Sequence, residues 1–240
     1  MRIEGEIFQT NSPISFHSMI PSRARPSMGP RPRRTQAERT ASTQQKLVKG
    51  AIALLKQKRY AGFRVAEVAK VAGVSRGAQT HHFPVKDALV LQALEKVYID
   101  SHRKALERIE KARAEPGRLL QAMIEDSQDF FLGEDFYVAL DLMMVGGDQP
   151  LGQEAKRLSR EYRVSVEKAW IEAFTEAGYP PLQAEDCIHL TFAMTRGLSV
   201  RKLMSGEVAH FPRLFSRWEA IAEEMLQPAA KKRPAKPLAT

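Results

Sequence analysis

The sequence predicts an all-α fold. Apolar residues recur at intervals of three and four along most of the 240-residue chain, which is the period of an amphipathic helix. No stretch shows the strict apolar–polar alternation of a half-buried strand. Glycine and proline stand where successive helical patterns end, and the 43% apolar content is sufficient for a buried core. Helices packed around such a core are therefore expected.

The first two predicted helices precede a tight turn. The first spans about residues 43–58 and has one apolar face. Tyr60 and Phe63 follow it and are expected to fill the angle to the second helix, Val65–Ala72. Gly73 comes directly after this short helix, where a left-handed backbone ends a helix without steric cost. A turn is therefore predicted at Gly73.

The third predicted helix begins immediately after that turn. Ser75 is placed to cap it, its sequence runs from Arg76 to about His82, and Pro84 closes it. Two short helices joined by a tight turn, with polar residues on the second, are typical of a helix-turn-helix, whose second helix lies in a major groove of DNA. Residues 36–90 are therefore predicted to form an N-terminal three-helix helix-turn-helix DNA-binding domain.

This segment resembles the DNA-binding domain of the TetR/AcrR family of bacterial transcriptional regulators. The resemblance covers about residues 44–94 and implies a ligand-responsive homodimeric repressor that binds a palindromic operator and is released by a small effector. It rests on the joint spacing of Val68, Ala69, Ala72, Gly73, Val74, Ser75, Arg76, Gly77, His82, Phe83, Pro84, Lys86, Asp87, Ala88 and Leu89.

The predicted recognition helix departs from the usual family pattern. Family members commonly carry Thr-Leu-Tyr-Tyr where this chain has Ala78, Gln79, Thr80 and His81. A tyrosine that normally contacts a phosphate is thus replaced at Thr80. We interpret these differences as changes in operator sequence and in the manner of contact. They leave one alternative open, a helical regulator that acts through protein contacts without specific DNA binding.

Side chains that project from the third helix are expected to read the operator. Arg76 is suited to a bidentate contact with guanine, and Ala78 to the methyl group of thymine. Gln79 is suited to adenine, although an inward leucine is usual at its position. His82 has two interpretations, a DNA contact or a structural contact with the fourth helix. With the positions suited to groove and phosphate contact, the predicted DNA-binding residues are Arg64, Ser75, Arg76, Gly77, Ala78, Gln79, Thr80, His81 and Lys86.

Charge is distributed unevenly along the chain, whose net charge is +9. Residues 35–90 hold ten Lys and Arg against three acids, whereas residues 91–230 hold seventeen against twenty-three. This asymmetry is expected if the N-terminal domain neutralises phosphates while the larger part stays away from the duplex. The alternative is that the basic segments are merely solvated surfaces.

Both ends of the chain are basic and lack helical periodicity. Residues 1–35 contain five prolines and are predicted to be a disordered basic arm or sequence upstream of the true start, for which Met19 and Met28 are candidates. From Met28 onward the arm is suited to a minor groove, with a solubilising tail as the alternative. Residues 228–240 are predicted to be a disordered basic tail.

Residues 91–227 are predicted to form a larger helical-bundle domain for ligand binding and dimerisation. A long fourth helix, from about Lys86 to Ala114, joins it to the DNA-binding domain, and the resemblance implies that its tilt sets the spacing of the two recognition helices. Pro116 and Gly117 end this helix. The further predicted helices span about 118–132, 135–145, 153–177, 186–204 and 212–226.

An effector pocket is expected within this domain. Aromatic and methionine side chains cluster in three of its helices, as in apolar pockets of helical bundles, and methionine favours an adaptable, largely apolar ligand. Asp141 is the candidate polar anchor, with a solvent-facing position as the alternative, and ordinary core packing is the alternative for the others. The predicted pocket residues are Phe130, Phe131, Phe136, Asp141, Met143, Met144, Trp170 and Phe174.

A homodimer is expected because one helix-turn-helix makes too few contacts for tight site-specific binding. By resemblance, the last two long helices are the interface and form a four-helix bundle across a two-fold axis. The predicted interface residues are Ile188, Phe192, Leu198, Leu214, Trp218 and Ile221.

Other classes of protein are disfavoured. The chain lacks a nucleophile elbow, a phosphate-binding loop and the HExxH metal spacing, so no enzyme is predicted. The single cysteine, Cys187, excludes an internal disulfide, and Cys187 and His189 would face different sides of a helix, so neither a metal nor a cofactor is expected. No apolar run approaches 18 residues and the N-terminus lacks the layout of a signal peptide, so a cytoplasmic protein without membrane contact is predicted.

Overall fold

The computed structural model of the chain describes residues 35–227, and the regular secondary structure of this range is helical, without a strand. The all-α prediction is therefore confirmed. The predicted arm, apart from Thr35, and the predicted tail lie outside the described residues. The helices are α1 (Gln36–Gly62), α2 (Val65–Ala72), α3 (Arg76–His82), α4 (Lys86–Arg113), α5 (Leu119–Phe131), α6 (Glu134–Gly146), α7 (Pro150–Ser159), α8 (Ser165–Glu176), α9 (Pro181–Ser205) and α10 (Phe211–Met225).

Helix α1 extends beyond the predicted residues 43–58 at both ends. Its backbone is kinked at Arg59, where φ is 57° and ψ is 178°. A positive φ is uncommon for a residue with a Cβ and interrupts helical hydrogen bonding. The kink leaves the backbone N–H of Tyr60 to pair with a side chain of α6 instead.

The turn between α2 and α3 has the geometry that the sequence predicts. Gly73 has a φ of 64°, a left-handed conformation that glycine adopts freely, and its N–H caps α2 by donating to the carbonyl of Lys70. The Ser75 hydroxyl accepts the backbone N–H of Ala78 at 3.1 Å and so caps the start of α3. The short segment Val74–Ser75 thereby sets the angle between the two helices.

The single helix predicted over residues 153–177 has helical backbone along its length but is interrupted by a π-helical turn, which was not predicted. Two helices, α7 and α8, are joined there by a π-helical turn, Arg160–Val164. The inward positions advance by five residues from Leu158 to Arg163, and not by the three or four of an α-helix. The prediction followed apolar residues alone, and the buried residue of the π turn is a charged one.

Helix α4 lies between the N-terminal helices and the rest of the chain. It packs against α1 on one side and against α5, α7 and α8 along its length. Helix α6 packs against α1, α5 and α7, while α9 and α10 cover α5 from the other side. One continuous apolar core therefore joins the two predicted domains. None of the helices within residues 35–227 is both long and apolar enough to span a bilayer.

Candidate nucleic-acid interface and regulatory domain

The outer face of α3 carries most of the predicted DNA-binding residues. Arg76, Gly77, Thr80 and His81 are exposed, and Ala78 is half-buried. The N-terminus of α3, from which this face begins, is capped by Ser75. Polar and cationic groups on an exposed, capped helix are what a major-groove contact requires.

Gln79 departs from the prediction of a contact with adenine. Its side chain is 5% exposed, and its Nε2 donates to the carbonyl of Phe83 at 2.8 Å. The amide thus satisfies a carbonyl beyond the end of α3, at the inward position where a leucine is usual. The contact with adenine is corrected accordingly, because neither the orientation nor the free amide that it needs is present.

Lys86 and Arg64 are also engaged within the protein. The Lys86 ammonium donates to the carbonyl of Tyr60 at 3.2 Å and lies 3.6 Å from the centroid of the Tyr60 ring. Burial lowers the pKa of Lys86. The Arg64 guanidinium donates to the carbonyls of Ala61 and Phe63 at 2.9 and 3.2 Å, where α1 ends. The predicted DNA contacts of Lys86 and Arg64 stay predictions, with the side chain of Lys86 half-buried and that of Arg64 exposed.

A polar contact between α1 and α6, here called the α1–α6 contact, links the N-terminal helices to the body. Asp141 Oδ2 accepts the backbone N–H of Tyr60 at 2.7 Å, so the half-buried carboxylate of Asp141 is engaged by α1. The sequence did not reveal this contact, because it depends on the kink at Arg59. The other pairs are Arg59 with Glu134 (3.0 Å), Lys56 with Asp135 (2.5 Å) and the Arg59 guanidinium over the Tyr137 ring (5.5 Å to its centroid).

The predicted pocket residues do not surround one cavity. Phe130, Phe131 and Phe136 pack together edge to face, with ring centroids 5.1–6.0 Å apart. Trp170 and Phe174 form a second buried pair, with centroids 6.4 Å apart. The remaining members are dispersed: Asp141 contacts α1, Met143 packs partly buried against the core, and Met144 is 74% exposed. The pocket assignment of Asp141 and Met144 is therefore corrected.

A buried polar network, which the sequence reasoning missed, lies beside the Phe130–Phe131 cluster. Asp126, 3% exposed, accepts the indole N–H of Trp170 at 3.3 Å and an N–H of Arg108 at 3.4 Å. The Arg163 Nη2 lies 3.8 Å from Asp126 Oδ2. Burial raises the pKa of Asp126 and lowers that of Arg163, because it penalises the charged form of each. The sequence signal that could have revealed this network is Asp126, an acidic residue within the apolar face of α5.

The predicted interface residues divide between the two faces of the last helices. Ile188 and Phe192 are fully buried and Leu198 is 8% exposed, so these side chains pack within the chain and this part of the prediction is corrected. Trp218 is half-buried and donates its indole N–H to Thr191 at 2.8 Å, whereas Ile221 is 50% exposed. Leu214 is half-buried.

The opposite face of α9 carries a second apolar stripe that the sequence reasoning missed. Its residues follow one another at intervals of three and four, and each is exposed; they are Leu190, Ala193, Gly197, Val200 and Met204. On α10 a similarly spaced stripe is half-buried or exposed and consists of Leu214, Trp218, Ile221 and Met225. Two adjacent helices thus present apolar residues at the spacing of a helix-packing seam.

Cys187 is a buried core residue, as the sequence indicated. Its side chain is fully buried, and burial raises the pKa of the thiol to about 11. Within residues 35–227 there is no group of three or more His, Cys, Asp or Glu side chains that could hold a metal ion.

Known proteins resemble this chain in sequence and in fold. The family model described as bacterial regulatory proteins, tetR family, matches residues 47–93. The HTH-type transcriptional regulator CymR of Pseudomonas putida is 39% identical over 193 residues, which make up 80% of this chain and 95% of CymR.

Solved structures share the fold at low identity. A TetR-family transcriptional regulator from Cytophaga hutchinsonii matches with a TM-score of 0.60 at 12% identity, over 82% of this chain and 99% of the regulator. The multidrug binding protein EbrR, complexed with ethidium, matches with a TM-score of 0.53 at 16% identity, over 78% of this chain and 99% of EbrR. With the sequence matches, this chain belongs to the TetR family and is a DNA-binding transcriptional regulator of the helix-turn-helix type, not an enzyme.

Proposed function

We propose that this regulator is a cytoplasmic homodimeric repressor that binds a palindromic operator through α3 and is released by a small effector. The observation that carries the proposal is the exposed face of α3, where Arg76 stands in the first turn of a helix capped by Ser75. The predominance of basic over acidic residues in 35–90 supports phosphate binding by the same domain.

The apolar stripes of α9 and α10 support the homodimer. Exposed apolar residues at helical spacing mark a surface that another helix covers, and the same stripe on a second copy supplies a complementary partner. Two copies of α9 and α10 then form a four-helix bundle. Dimerisation presents two α3 helices to the two halves of a palindrome.

The α1–α6 contact supports a route from effector to DNA. An effector that prefers one packing of α5 and α6 shifts the population towards that packing. Because Asp141 of α6 holds the backbone of Tyr60 at the end of α1, a displacement of α6 changes the orientation of the DNA-binding helices. EbrR, which shares the fold, was solved with ethidium bound, and this supports a small organic effector for the present chain.

Operator binding is tested by selection from a random-sequence duplex library, followed by fluorescence anisotropy on the selected sequence between low and high salt. We expect a palindromic consensus, a steep loss of affinity with salt, and a further loss of about 1–3 kcal/mol in Arg76→Ala. Arg103→Ala is the matched control, because Arg103 is an exposed arginine of α4 that pairs only locally with Glu107.

A regulator that acts through protein contacts is the competing function. The burial of Gln79 and the threonine at position 80 favour it, since both reduce the polar groups available to DNA. A library selection without consensus, or an affinity independent of salt and of Arg76, would overturn the repressor proposal in its favour.

A further inference from the structure

Arg163 is a buried arginine whose hydrogen bonds are incomplete. The residue is 5% exposed and stands on the π-helical turn between α7 and α8. Its Nη1 donates to the hydroxyl of Ser101 at 3.3 Å. Its Nε and Nη2 are buried and have no hydrogen-bond partner among residues 35–227. A buried guanidinium with unmade hydrogen bonds is costly, so a retained one calls for an acceptor.

The two unpaired nitrogens lie on the same edge of the guanidinium. Their N–H bonds run parallel, and this fork matches the two oxygens of a carboxylate. The closest acid, Asp126, does not occupy the fork: its Oδ2 is 3.8 Å from Nη2, beyond hydrogen-bond distance. Asp126 is instead engaged by Trp170 and Arg108.

The surroundings of the Arg163 guanidinium are aromatic. The Arg163 guanidinium carbon lies 4.0 Å from the ring centroid of Phe130, 5.3 Å from that of Phe131 and 5.6 Å from that of Phe192. These rings stabilise the cation by its attraction to their faces, but they provide no acceptor for an N–H in the plane of the guanidinium. A ligand bound here therefore needs an anionic end for Arg163 and an apolar body for the rings.

The carboxylates near Arg163 also pair with other cations. Glu167 lies on the next helical turn, but its carboxylate pairs with Arg196, 3.4 Å away. Arg108 pairs with Asp129 as well as with Asp126. Asp126 and Glu167 thus already have cationic partners besides Arg163.

We propose that Arg163 anchors the effector, and that the effector is a small organic carboxylate with an apolar body. The proposal rests on the proposed function, since it assigns the ligand of the regulatory domain. The proposed ligand keeps the apolar body that the sequence predicts and adds one negative charge. Phe130 and Phe131 keep the pocket role predicted from the sequence, and Phe192 joins them.

A surface cleft lies near this site, on the other side of two aromatic rings. It has a volume of about 540 Å³ and lies along α4, where Tyr162 forms part of its wall together with Ile99, His102 and Leu106. Tyr162 stacks on Tyr98 with centroids 6.2 Å apart, and Tyr98 packs against Phe130 at 6.2 Å. Two aromatic rings, those of Tyr162 and Tyr98, thus connect the wall of the cleft to Phe130, which lies against Arg163.

The test is calorimetric titration and thermal unfolding of the full chain with benzoate, phenylacetate, cyclohexanecarboxylate and hexanoate, each compared with its neutral amide. We expect at least one acid to bind and to raise Tm, with its amide about tenfold weaker or more, because the amide lacks the charge that Arg163 pairs with. Arg163→Met should lose the preference for the acid. Arg160→Met is the matched control, because Arg160 is an exposed arginine of the same π turn.

Equal effects of acid and amide, or no binding by any acid of the series, would overturn the inference. The comparison in the unaltered protein decides the matter even if Arg163→Met does not fold. Because the titrations contain no DNA, they are independent of operator binding. Failure to bind an operator while the acids bind would contradict the repressor proposal alone, and the reverse result would contradict the carboxylate site alone.

Discussion

Tyr60 shows how single residues hold the N-terminal helices to the rest of the protein. Its hydroxyl donates to Asp87 Oδ1 at 2.7 Å, and its backbone N–H donates to Asp141. Burial, together with the hydrogen bond to Asp87 and the charge of that carboxylate, raises the pKa of Tyr60 to about 12. The neutral phenol is thus the form that the folded protein favours.

This shift predicts a loss of stability in alkali. The pKa of Tyr60 is higher in the folded than in the unfolded chain, where it is about 10, so its contribution is complete below pH 10 and is lost between about pH 10 and 12. We expect Tyr60→Phe to remove this part of the decline. Urea unfolding at intervals from pH 9 to 12 measures it.

The matched control for this titration is Tyr179→Phe, a change of the same kind in the body of the protein. An alkaline decline in stability that is identical in the Tyr60→Phe variant and the unaltered protein would contradict the role given to Tyr60.

At the scale of helices, two glycines, Gly146 and Gly152, allow α6 and α7 to approach closely. A Cβ at Gly152 would lie 2.3 Å from the carbonyl oxygen of Gly147 and 2.5 Å from the carbonyl carbon of Gly146. Backbone atoms cannot yield as a flexible side chain does, so any larger residue must move one helix. The position of α7 affects the π turn that follows it, and with it Arg163.

We therefore expect Gly152→Ala to destabilise the protein by about 1–3 kcal/mol, the usual cost of overpacking a close contact. Thermal unfolding should show a Tm lowered by several degrees. Gly77→Ala is the control, since a Cβ there meets no atom within 4 Å and alanine favours a helix. A Gly152→Ala protein as stable as the control would show that α6 and α7 can separate without cost.

At the scale of the whole molecule, the proposed homodimer depends on the exposed apolar stripe of α9. We expect Leu190→Glu to convert a dimer into a folded monomer, because Leu190 is 49% exposed in one chain and a charge there disturbs only the seam between two copies. Light scattering after size-exclusion chromatography gives the mass, and circular dichroism checks the fold. Operator affinity should fall with the dimer, since one α3 reaches one half-site.

Leu106→Glu is the control for this change, because Leu106 is a 38% exposed leucine of α4 that lies outside the stripe. If Leu190→Glu stayed dimeric, the interface would have to lie elsewhere and the four-helix bundle would be abandoned.

Whether a feature of this fold could be predicted from the sequence depends on how far apart in the chain the interacting residues lie. The α2–α3 turn depends on Gly73 and Ser75, whose conformations are set by neighbours within a few residues, and it was predicted to the residue. The kink at Arg59 and the π turn at Arg163 depend on what α6, α4 and α5 offer to these side chains, and neither was predicted.

Helix α9 is a second case in which the sequence could not decide, because it has two apolar faces and only one of them is buried. Both faces are apolar at helical spacing, one through Ile188 and Phe192 and the other through Leu190 and Val200. Periodicity alone cannot choose between them, so the sequence reasoning assigned the inner face to the dimer.

The sequence by itself determined the helical class, the helix-turn-helix and the family, because these follow from local spacing and capping that no distant contact alters. Only the tertiary structure decided which side chains of those helices face solvent and which face each other. Asp141 and Arg163 are polar residues whose contacts lie far away in the sequence, whereas Gln79 is buried by the packing of the helices and bonds to Phe83 four residues away. Burial is a property of the packed assembly of helices, and a side chain acquires its role only when that packing is complete.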